Sequence, residues 1–321
     1  MKYDFDRLTD RGDTNSMKWD VPEGQLPMWV ADMDFETAPE IAEAIRKRAA
    51  HGIFGYTVVP QAWRQAVAGW WERRHGFPME TEWLVFCTGV VPAISSAVRK
   101  LTTPGENVLV QTPVYNIFFN SIRNNGRNVV ENRLLYNGRN YRIDWEDLEK
   151  KLADPQTTLM ILCNPHNPTG SIWSREELGR IGELCASNHV RVLSDEIHCD
   201  LTEPGYEYVP FASVSGDCAR NSVTCIAPTK TFNLAGLQTA PWWCPTRICG
   251  KRWNGGLIPT RWRNPMPLQS TRPLLRSQRG RYGWTPCGNI CPKTAGQRNI
   301  SWKTRWRAYP WYPPTRPTCS G

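Results

Sequence analysis

Short apolar runs alternate with longer stretches of helical periodicity along the first 240 residues, and this alternation restricts the fold more than any other feature. The apolar runs lie at 83–86, 108–110, 159–162, 190–193 and 223–226. Apolar residues at helical spacing occupy 39–50, 60–74 and 174–187. This alternation predicts an α/β fold in which helices cover both faces of a parallel or mixed sheet.

The composition changes abruptly at residue 240. Residues 241–321 contain 15 of the 39 Lys and Arg residues, 8 of the 16 Trp and 12 of the 26 Pro, but no Asp or Glu. The first 240 residues carry 24 basic and 30 acidic residues, so they are acidic although the whole chain has a net charge of +9. Because the tail has neither helical nor strand periodicity, the sequence predicts no packed domain there.

Two explanations of the tail remain open. Tryptophan has one codon, so the segment 241–245, Pro-Trp-Trp-Cys-Pro, fixes most of its bases. Dropping two bases gives Val, Leu or Met, then Val-Val, then Pro or Ser, which is a plausible buried strand, and we hypothesise a frameshift near codon 240. The alternative is a genuine tail that binds nucleic acid through interleaved basic and aromatic residues. We favour the frameshift, and we expect no nucleic-acid partner.

The cysteines and the N-terminus indicate the cellular compartment. The six cysteines of the first 240 residues form no close CxxC pair, which predicts reduced thiols and no metal site. Acidic residues stand at positions 4 and 6, where a signal peptide would place an apolar run, and no apolar stretch reaches membrane-spanning length. We therefore expect a cytoplasmic protein without a membrane partner.

Four polar clusters follow predicted strands. They are Thr-Gly-Val-Val-Pro at 88–92, Asn-Pro-His-Asn-Pro-Thr-Gly at 164–170, Asp-Glu-Ile-His at 195–198, and Ala-Pro-Thr-Lys-Thr-Phe-Asn at 227–233. Ligands of such sheets bind beyond the carboxyl ends of the strands. Any one cluster could be only a turn or a helix cap, so the order and spacing of all four are the stronger signal.

Together these clusters resemble the fold-type I branch of the class I/II aminotransferase superfamily, in which an NPTG turn, an acidic DE pair and a lysine about 35 residues later occur in this order. The resemblance covers residues 20–240. The segment 27–35, Pro-Met-Trp-Val-Ala-Asp-Met-Asp-Phe, and His198 resemble the cystathionine β-lyase-like enzymes, since true aminotransferases usually have Tyr at the position of His198. Two departures are Asn116-Ile117 in place of Pro-Pro and Thr229 in place of Ser.

The resemblance implies a fold and a division into domains. It predicts the large domain of a pyridoxal-phosphate (PLP)-dependent transferase, with a mixed, mostly parallel sheet of the seven-stranded type. Residues 1–45 would form an N-terminal arm and part of a small domain, 46–240 a truncated PLP-binding domain, and 241–321 a frameshifted, disordered or irregular tail. Family members carry an arginine that binds the substrate α-carboxylate, and no arginine of the tail can be matched to it.

The resemblance also implies roles around the cofactor ring. Lys230 would join the cofactor covalently and then act as the base that removes the Cα proton. Asp195 would keep the pyridine nitrogen protonated. Asn167 and His198 would donate hydrogen bonds to the phenolic oxygen, and Tyr115 would stack on the ring. The alternatives are a surface lysine, a buried core histidine and a tyrosine that only packs in the core.

The cofactor phosphate is expected at the start of a helix. The backbone N–H groups of Val90 and Val91 would bind it, because exposed amides and the helix dipole favour anions. Thr229 would add a hydroxyl group. Tyr56 resembles the residue that reaches the phosphate of the neighbouring subunit, which implies a homodimer, although it could be merely an aromatic anchor on a loop.

The implied activity is a carbon–sulfur β-lyase that releases thiol, pyruvate and ammonia from a sulfur amino acid such as L-cystathionine. A class I/II aminotransferase is the alternative enzyme, and an inactive product of a frameshifted gene is the alternative from a different class. The sequence does not identify the physiological substrate.

Overall fold

The computed structural model describes residues 4–245. The α-helices within this range are α1 (Pro39–Ala50), α2 (Gln61–His75), α3 (Val90–Leu101), α4 (Ile117–Arg123), α5 (Trp145–Leu152), α6 (Arg175–Ser187), α7 (Gly216–Arg220) and α8 (Pro228–Thr231). The strands are β1 (Leu84–Cys87), β2 (Asn107–Thr112), β3 (Asn128–Arg133), β4 (Leu135–Tyr136), β5 (Tyr141–Arg142), β6 (Thr157–Cys163), β7 (Arg191–Asp195), β8 (Ser222–Cys225) and β9 (Ala240–Trp243).

Seven of these strands form one sheet in the order β1-β9-β8-β7-β6-β2-β3. All neighbours from β8 to β3 are parallel, whereas β9 is antiparallel to both β8 and β1. Strands β4 and β5 form a separate antiparallel pair. The structure therefore confirms the predicted α/β fold with a mixed, mostly parallel seven-stranded sheet.

The central strands are apolar along their length because helices cover both of their faces. On one face, α3 and α4 pack on alternate strand residues that include Leu159, Ile161 and Leu193, none more than 1% exposed. On the other face, α5 and α6 pack on Met160 and Leu162. This burial of alternate residues in opposite directions fixes the register of the sheet, since a shift by one residue would exchange the two faces.

Leu193 provides a test of the sheet core. The Leu193→Ala variant is expected to lose about 2–5 kcal/mol of unfolding free energy, because the deleted side chain is fully buried and leaves a cavity. Chemical denaturation followed by circular dichroism measures the change. Leu135→Ala is the control, since Leu135 is 54% exposed in β4 and its truncation should cost less than about 0.5 kcal/mol. Equal losses in both variants would contradict this placement of the core.

The sheet extends beyond the change in composition at residue 240. The sequence predicted no packed domain after that position, but β9 runs to Trp243, and Trp242 and Trp243 are 1% and 0% exposed. Trp243 stacks on Trp83 with ring centroids 6.0 Å apart and also contacts Phe77. The packed part therefore ends at least three residues later than predicted. The rest of the tail, the frameshift and the unmatched arginine lie outside the described residues, and the division into domains stays a prediction.

None of the helices within residues 4–245 is both long enough and apolar enough to cross a membrane.

Candidate active site

The four polar clusters meet at the carboxyl edge of the parallel strands. They follow β1, β6, β7 and β8, as the sequence predicted. Backbone hydrogen bonds join three of these strand ends: the Asn164 N–H donates to the Asp195 carbonyl oxygen at 2.9 Å, and the Glu196 N–H donates to the Cys225 carbonyl oxygen at 2.9 Å. The side chains that follow these residues are thereby held on one rigid edge.

Asp195 is the buried carboxylate at the end of β7. Its side chain accepts a hydrogen bond from the Ile197 N–H at 3.2 Å, and the residue is only 5% exposed. Burial raises its pKa from 3.8 to about 7, although the Ile197 hydrogen bond and the charge of Lys230 act in the opposite direction. A cationic group placed against this carboxylate would restore its ionised form.

Lys230 lies in α8, at the end of the loop that follows β8, and is half-buried. Burial lowers the pKa of its amine, and the negative charges of Asp32 and Asp195 offset part of this effect. The amine is therefore close enough to both carboxylates to sense their charge. A lysine whose charged form is partly disfavoured is better suited to act as a nucleophile and a base than a solvated one.

The raised pKa of Asp195 predicts that the stability of the protein depends on pH. Because its pKa in the folded state is raised above the unfolded value, its contribution to stability is present below about pH 4 and is lost as pH rises through about 7. In cofactor-free protein, Asp195→Asn should therefore become more stable relative to the wild type between pH 4 and pH 8, by about 1–4 kcal/mol. Denaturation at several pH values measures the difference.

Because the wild type and Asp195→Asn share all other titratable groups, the contributions of those groups to the pH dependence cancel in the stability difference. The pKa of Glu196 is also raised to about 7 by burial, whereas burial lowers that of His198 to about 4, so their contributions oppose each other in the wild type. Asp147→Asn is the control, and its stability relative to the wild type should change with pH in the opposite direction. Burial raises the Asp147 pKa, but hydrogen bonds from Lys151 and Asn132 outweigh it and lower that pKa. A pH-independent difference for Asp195→Asn would contradict the raised pKa.

Three further predicted residues follow strand ends at the same edge of the sheet: His198 after β7, Tyr115 after β2 and Asn167 after β6. Burial, and then the charge of Lys230, lower the pKa of His198 to about 4, so its imidazole is neutral at neutral pH. Tyr115 is 38% exposed and packs edge-on against Phe118, with ring centroids 5.8 Å apart. Burial and the charge of Asp195 raise the Tyr115 pKa, so this ring also lies near the carboxylate. The Asn167 N–H donates to the Cys163 sulfur at 3.4 Å, which fixes the turn that carries its side chain.

The predicted anion site is the N-terminus of α3. The helix starts directly after Gly89, which has no side chain that could cap the first N–H groups. Val90 and Val91 are its first two residues, and the N–H groups at such positions have no acceptor within the helix. Val91 is 36% exposed, so this end of the helix is accessible. Thr229 immediately precedes Lys230 and is half-buried.

Tyr56 does not join this cluster. It is 98% exposed and therefore makes almost no contact with the rest of residues 4–245. Its neighbours Ile53, Phe54 and Val58 are also exposed, by 67%, 54% and 80%. The role assigned to Tyr56 stays a prediction that requires a second subunit.

Asn233 is a positioning residue that the sequence analysis quoted without a role. It adopts a left-handed conformation with a φ of 54°. Its side-chain amide accepts from the Met33 N–H at 3.0 Å, and donates to the carbonyl oxygens of Met33 at 3.0 Å and Phe35 at 2.9 Å. The Thr37 hydroxyl donates to the Phe232 carbonyl oxygen at 2.8 Å. These bonds attach the N-terminal segment to the loop of Lys230.

The same N-terminal segment contains an ion-pair network. Arg11 contacts Asp32 at 2.6 Å and Asp34 at 2.8 Å, and Lys18 contacts Asp34 at 2.6 Å. The Trp19 indole N–H also donates to Asp34, at 2.8 Å. Lys18 is only 7% exposed, so this network is a fixed part of the structure rather than a solvated surface pair.

Asp200 anchors the other side of the Lys230 helix. It is 5% exposed and accepts hydrogen bonds from the Thr231 hydroxyl at 2.7 Å and the Trp70 indole N–H at 3.2 Å. Asp200, His75 and Cys199 have potential metal-ligand atoms within 4.8 Å of one another. However, Asp200 already has protein partners, and burial raises the pKa of Cys199 well above its ordinary value and disfavours the thiolate that a metal requires. The cluster therefore has a structural explanation.

A helix-covered mixed sheet with a lysine and a buried aspartate at its carboxyl edge defines an α/β protein with an enzyme-like site. The family model for aminotransferase class I and II matches residues 24–248. The chain is 49% identical to "Cystathionine beta-lyase PatB" of Bacillus subtilis (strain 168), over 79% of this chain and 67% of that protein. It is 34% identical to "Protein MalY" of Escherichia coli (strain K12), over 74% of this chain and 62% of that protein.

A solved structure shows the same relationship. The crystal structure of cystalysin from Treponema denticola, which contains a pyridoxal 5'-phosphate cofactor, has a TM-score of 0.86 and 32% identity, covering 91% of this chain and 76% of that one. The chain thus belongs to the aminotransferase class I and II family, and its relatives confirm the predicted cystathionine β-lyase-like branch. It spans about two thirds of the length of PatB and MalY.

Proposed function

We propose that this chain is a PLP-dependent carbon–sulfur β-lyase, which acts on an amino acid with sulfur on Cβ and releases thiol, pyruvate and ammonia. The names of two relatives support this proposal: PatB is a cystathionine β-lyase, and cystalysin contains the cofactor. The observation that carries it is the half-buried Lys230 amine, which lies within electrostatic reach of the buried Asp195.

The donor set fits each part of the cofactor. The accessible N-terminus of α3 and the Thr229 hydroxyl suit the phosphate. The buried Asp195, whose pKa is raised to about 7 in the free protein, suits the ring nitrogen because a cation there relieves the cost of its burial. Neutral His198 and the Asn167 amide suit the phenolic oxygen, since both can donate hydrogen bonds. Tyr115 offers a partly exposed ring for stacking.

The protein side of the reaction follows from these groups. When bound, PLP supplies an electron sink that stabilises negative charge at the substrate Cα. Asp195 holds a proton at the ring nitrogen, which keeps that sink effective. Lys230 takes the proton from Cα, because partial burial lowers the pKa of its amine and leaves a larger unprotonated fraction than a surface lysine has. The electron pair left at Cα then forms a double bond to Cβ while the Cβ–S bond breaks, and the sulfur leaves as a thiol after it takes the proton that Lys230 carries.

A homodimer is part of the same proposal. The almost fully exposed Tyr56 and the exposed apolar side chains beside it, Ile53 and Phe54, form a surface suited to contact with another subunit. Tyr56 would then contact the phosphate held by the partner subunit. A small-molecule substrate and a cytoplasmic location stay predictions alongside it.

The experiment uses the full chain, supplied with PLP and L-cystathionine. A β-lyase should develop a yellow absorbance band on PLP addition and then produce pyruvate and free thiol in equal amounts. Exchange between amino and oxo acids without thiol release would instead identify an aminotransferase. A protein that neither binds the cofactor nor forms either product would support the inactive-product hypothesis and overturn the proposal for this chain.

A further inference from the structure

Asp32 has one satisfied and one unsatisfied carboxylate oxygen. Its Oδ2 contacts the Arg11 guanidinium at 2.6 Å. Its Oδ1 is buried and has no hydrogen-bond partner among residues 4–245. Since a buried charged oxygen without a donor is costly, such an atom points to a group that the described contacts do not yet provide.

Hydrogen bonds hold the backbone on both sides of the Asp32 side chain. The Asn233 side chain binds both backbone groups of Met33, which follows Asp32 directly. On the other side, the buried Lys18 amine donates to the Asp32 carbonyl oxygen at 2.9 Å. Asp32 is thus held by Arg11 and Lys18 from the N-terminal arm and through Met33 by the Lys230 loop.

The nearby donor without an ion-pair partner is Lys230. Within residues 4–245, none of the ion pairs shorter than 4.0 Å involves its amine. The charge of Asp32 acts on this amine, and its effect is larger than that of Asp195. Asn233 lies three residues after Lys230 and binds the residue next to Asp32, so the carboxylate and the amine are carried by two directly connected segments.

We propose that Asp32 is a positioning residue for Lys230, whose side-chain amine donates a hydrogen bond to Oδ1 whenever it is not joined to the cofactor. This inference deepens and rests on the proposed function, in which Lys230 leaves the cofactor when the substrate arrives, takes the Cα proton as a neutral amine and then carries that proton. Asp32 accepts the hydrogen bond in both states of the amine. It keeps the free amine at the site instead of allowing it to turn towards solvent.

The proposal can be tested without enzyme activity. In the full chain freed of cofactor, the rate at which acetic anhydride acylates Lys230 is measured against pH by peptide mass spectrometry. Asp32→Asn should lower the apparent pKa of Lys230, so that acylation below this pKa becomes about tenfold faster, since losing an adjacent opposite charge shifts a pKa by about one unit or more. Asp32→Glu, which keeps the charge, should restore most of the wild-type pH profile.

Asp34→Asn is the matched control. Asp34 belongs to the same arm and shares Arg11, but its oxygens are taken by Arg11, Lys18 and Trp19. Acylation of Lys230 in this variant should stay within about twofold of the wild type, because Asp32 is retained. Equal acceleration in both variants would show that the arm merely covers the lysine, and an unchanged rate in Asp32→Asn would overturn the proposal. Asp32→Ser replaces the amide variant if the latter does not fold.

The cofactor is tested separately, so the two proposals can fail independently. Borohydride reduction of PLP-loaded protein, followed by peptide mapping, shows whether Lys230 carries the cofactor. Absence of the label would overturn the proposed function but would leave the acylation result intact. Presence of the label together with an Asp32-independent acylation profile would reject only the positioning role.

Discussion

Lys230→Ala is expected to abolish covalent attachment of PLP and to reduce thiol release by at least about 10³-fold, because the variant loses both the attachment point and the base. Borohydride reduction and mass spectrometry measure attachment, and the pyruvate assay measures turnover. Non-covalent binding of PLP should persist, since the α3 N-terminus, Thr229 and Asp195 remain.

Lys151→Ala is the control for this prediction. Lys151 is a partly buried lysine of α5 that contacts Asp147 at 2.7 Å and lies outside the four clusters. Its replacement should leave both attachment and turnover close to the wild type. Cofactor that remained covalently bound in Lys230→Ala would place the attachment point on another residue.

Asp195→Asn is expected to lower kcat by about 10²- to 10³-fold, because an amide can no longer hold the ring nitrogen in its charged form. The effect should fall on kcat more than on KM, since Asp195 acts on the electron sink and not on substrate binding. The variant is also the one expected to gain stability at high pH without cofactor. Lower activity in a better-folded protein would separate a catalytic role from a structural one.

Asp147→Asn serves as the carboxylate control in this assay. Asp147 of α5 binds Lys151 of the same helix and Asn132 of β3, and none of the side-chain hydrogen bonds described for it within residues 4–245 involves the four clusters. Its loss should change kcat by less than about twofold. If Asp195→Asn retained full activity with PLP, the aspartate would not be the partner of the ring nitrogen.

The sequence predicted five strands of the seven-stranded sheet and missed β3 and β9. The runs at 159–162, 190–193 and 223–226 became β6, β7 and β8, each with its bounds shifted by three residues or fewer. In contrast, β3 has only two apolar residues, Val129 and Val130, and lies at the sheet edge, where one row of backbone groups and much of its surface contact solvent. Edge strands need few apolar residues, so periodicity gives them little signal.

The site was predictable where chemistry depends on residues that follow strands directly. Asp195, Lys230 and the α3 start are of this kind, because the topology itself brings strand ends together. The contact between Asn233 and Met33 joins residues 200 positions apart in the sequence, and the contact of Thr231 with Asp200 depends on side-chain packing. Neither has a periodic pattern. Two sequence features could have indicated this connection. One is the pair Asp32 and Asp34, and the other is Asn233 in a loop, because asparagine tolerates a left-handed backbone.

The position of β9 has a consequence for the order in which the domain can assemble. The β1 strand, from the first third of the chain, touches the rest of the sheet only through β9, whose residues come about 155 positions later. On a ribosome, the edges of β1 and β8 that pair with β9 therefore stay open until residues 240–243 have emerged, even though every other strand described within residues 4–245 has already been synthesised. A nascent chain halted just before Ala240 should consequently expose two unpaired edges and recruit chaperones, whereas one extended past Trp243 should not.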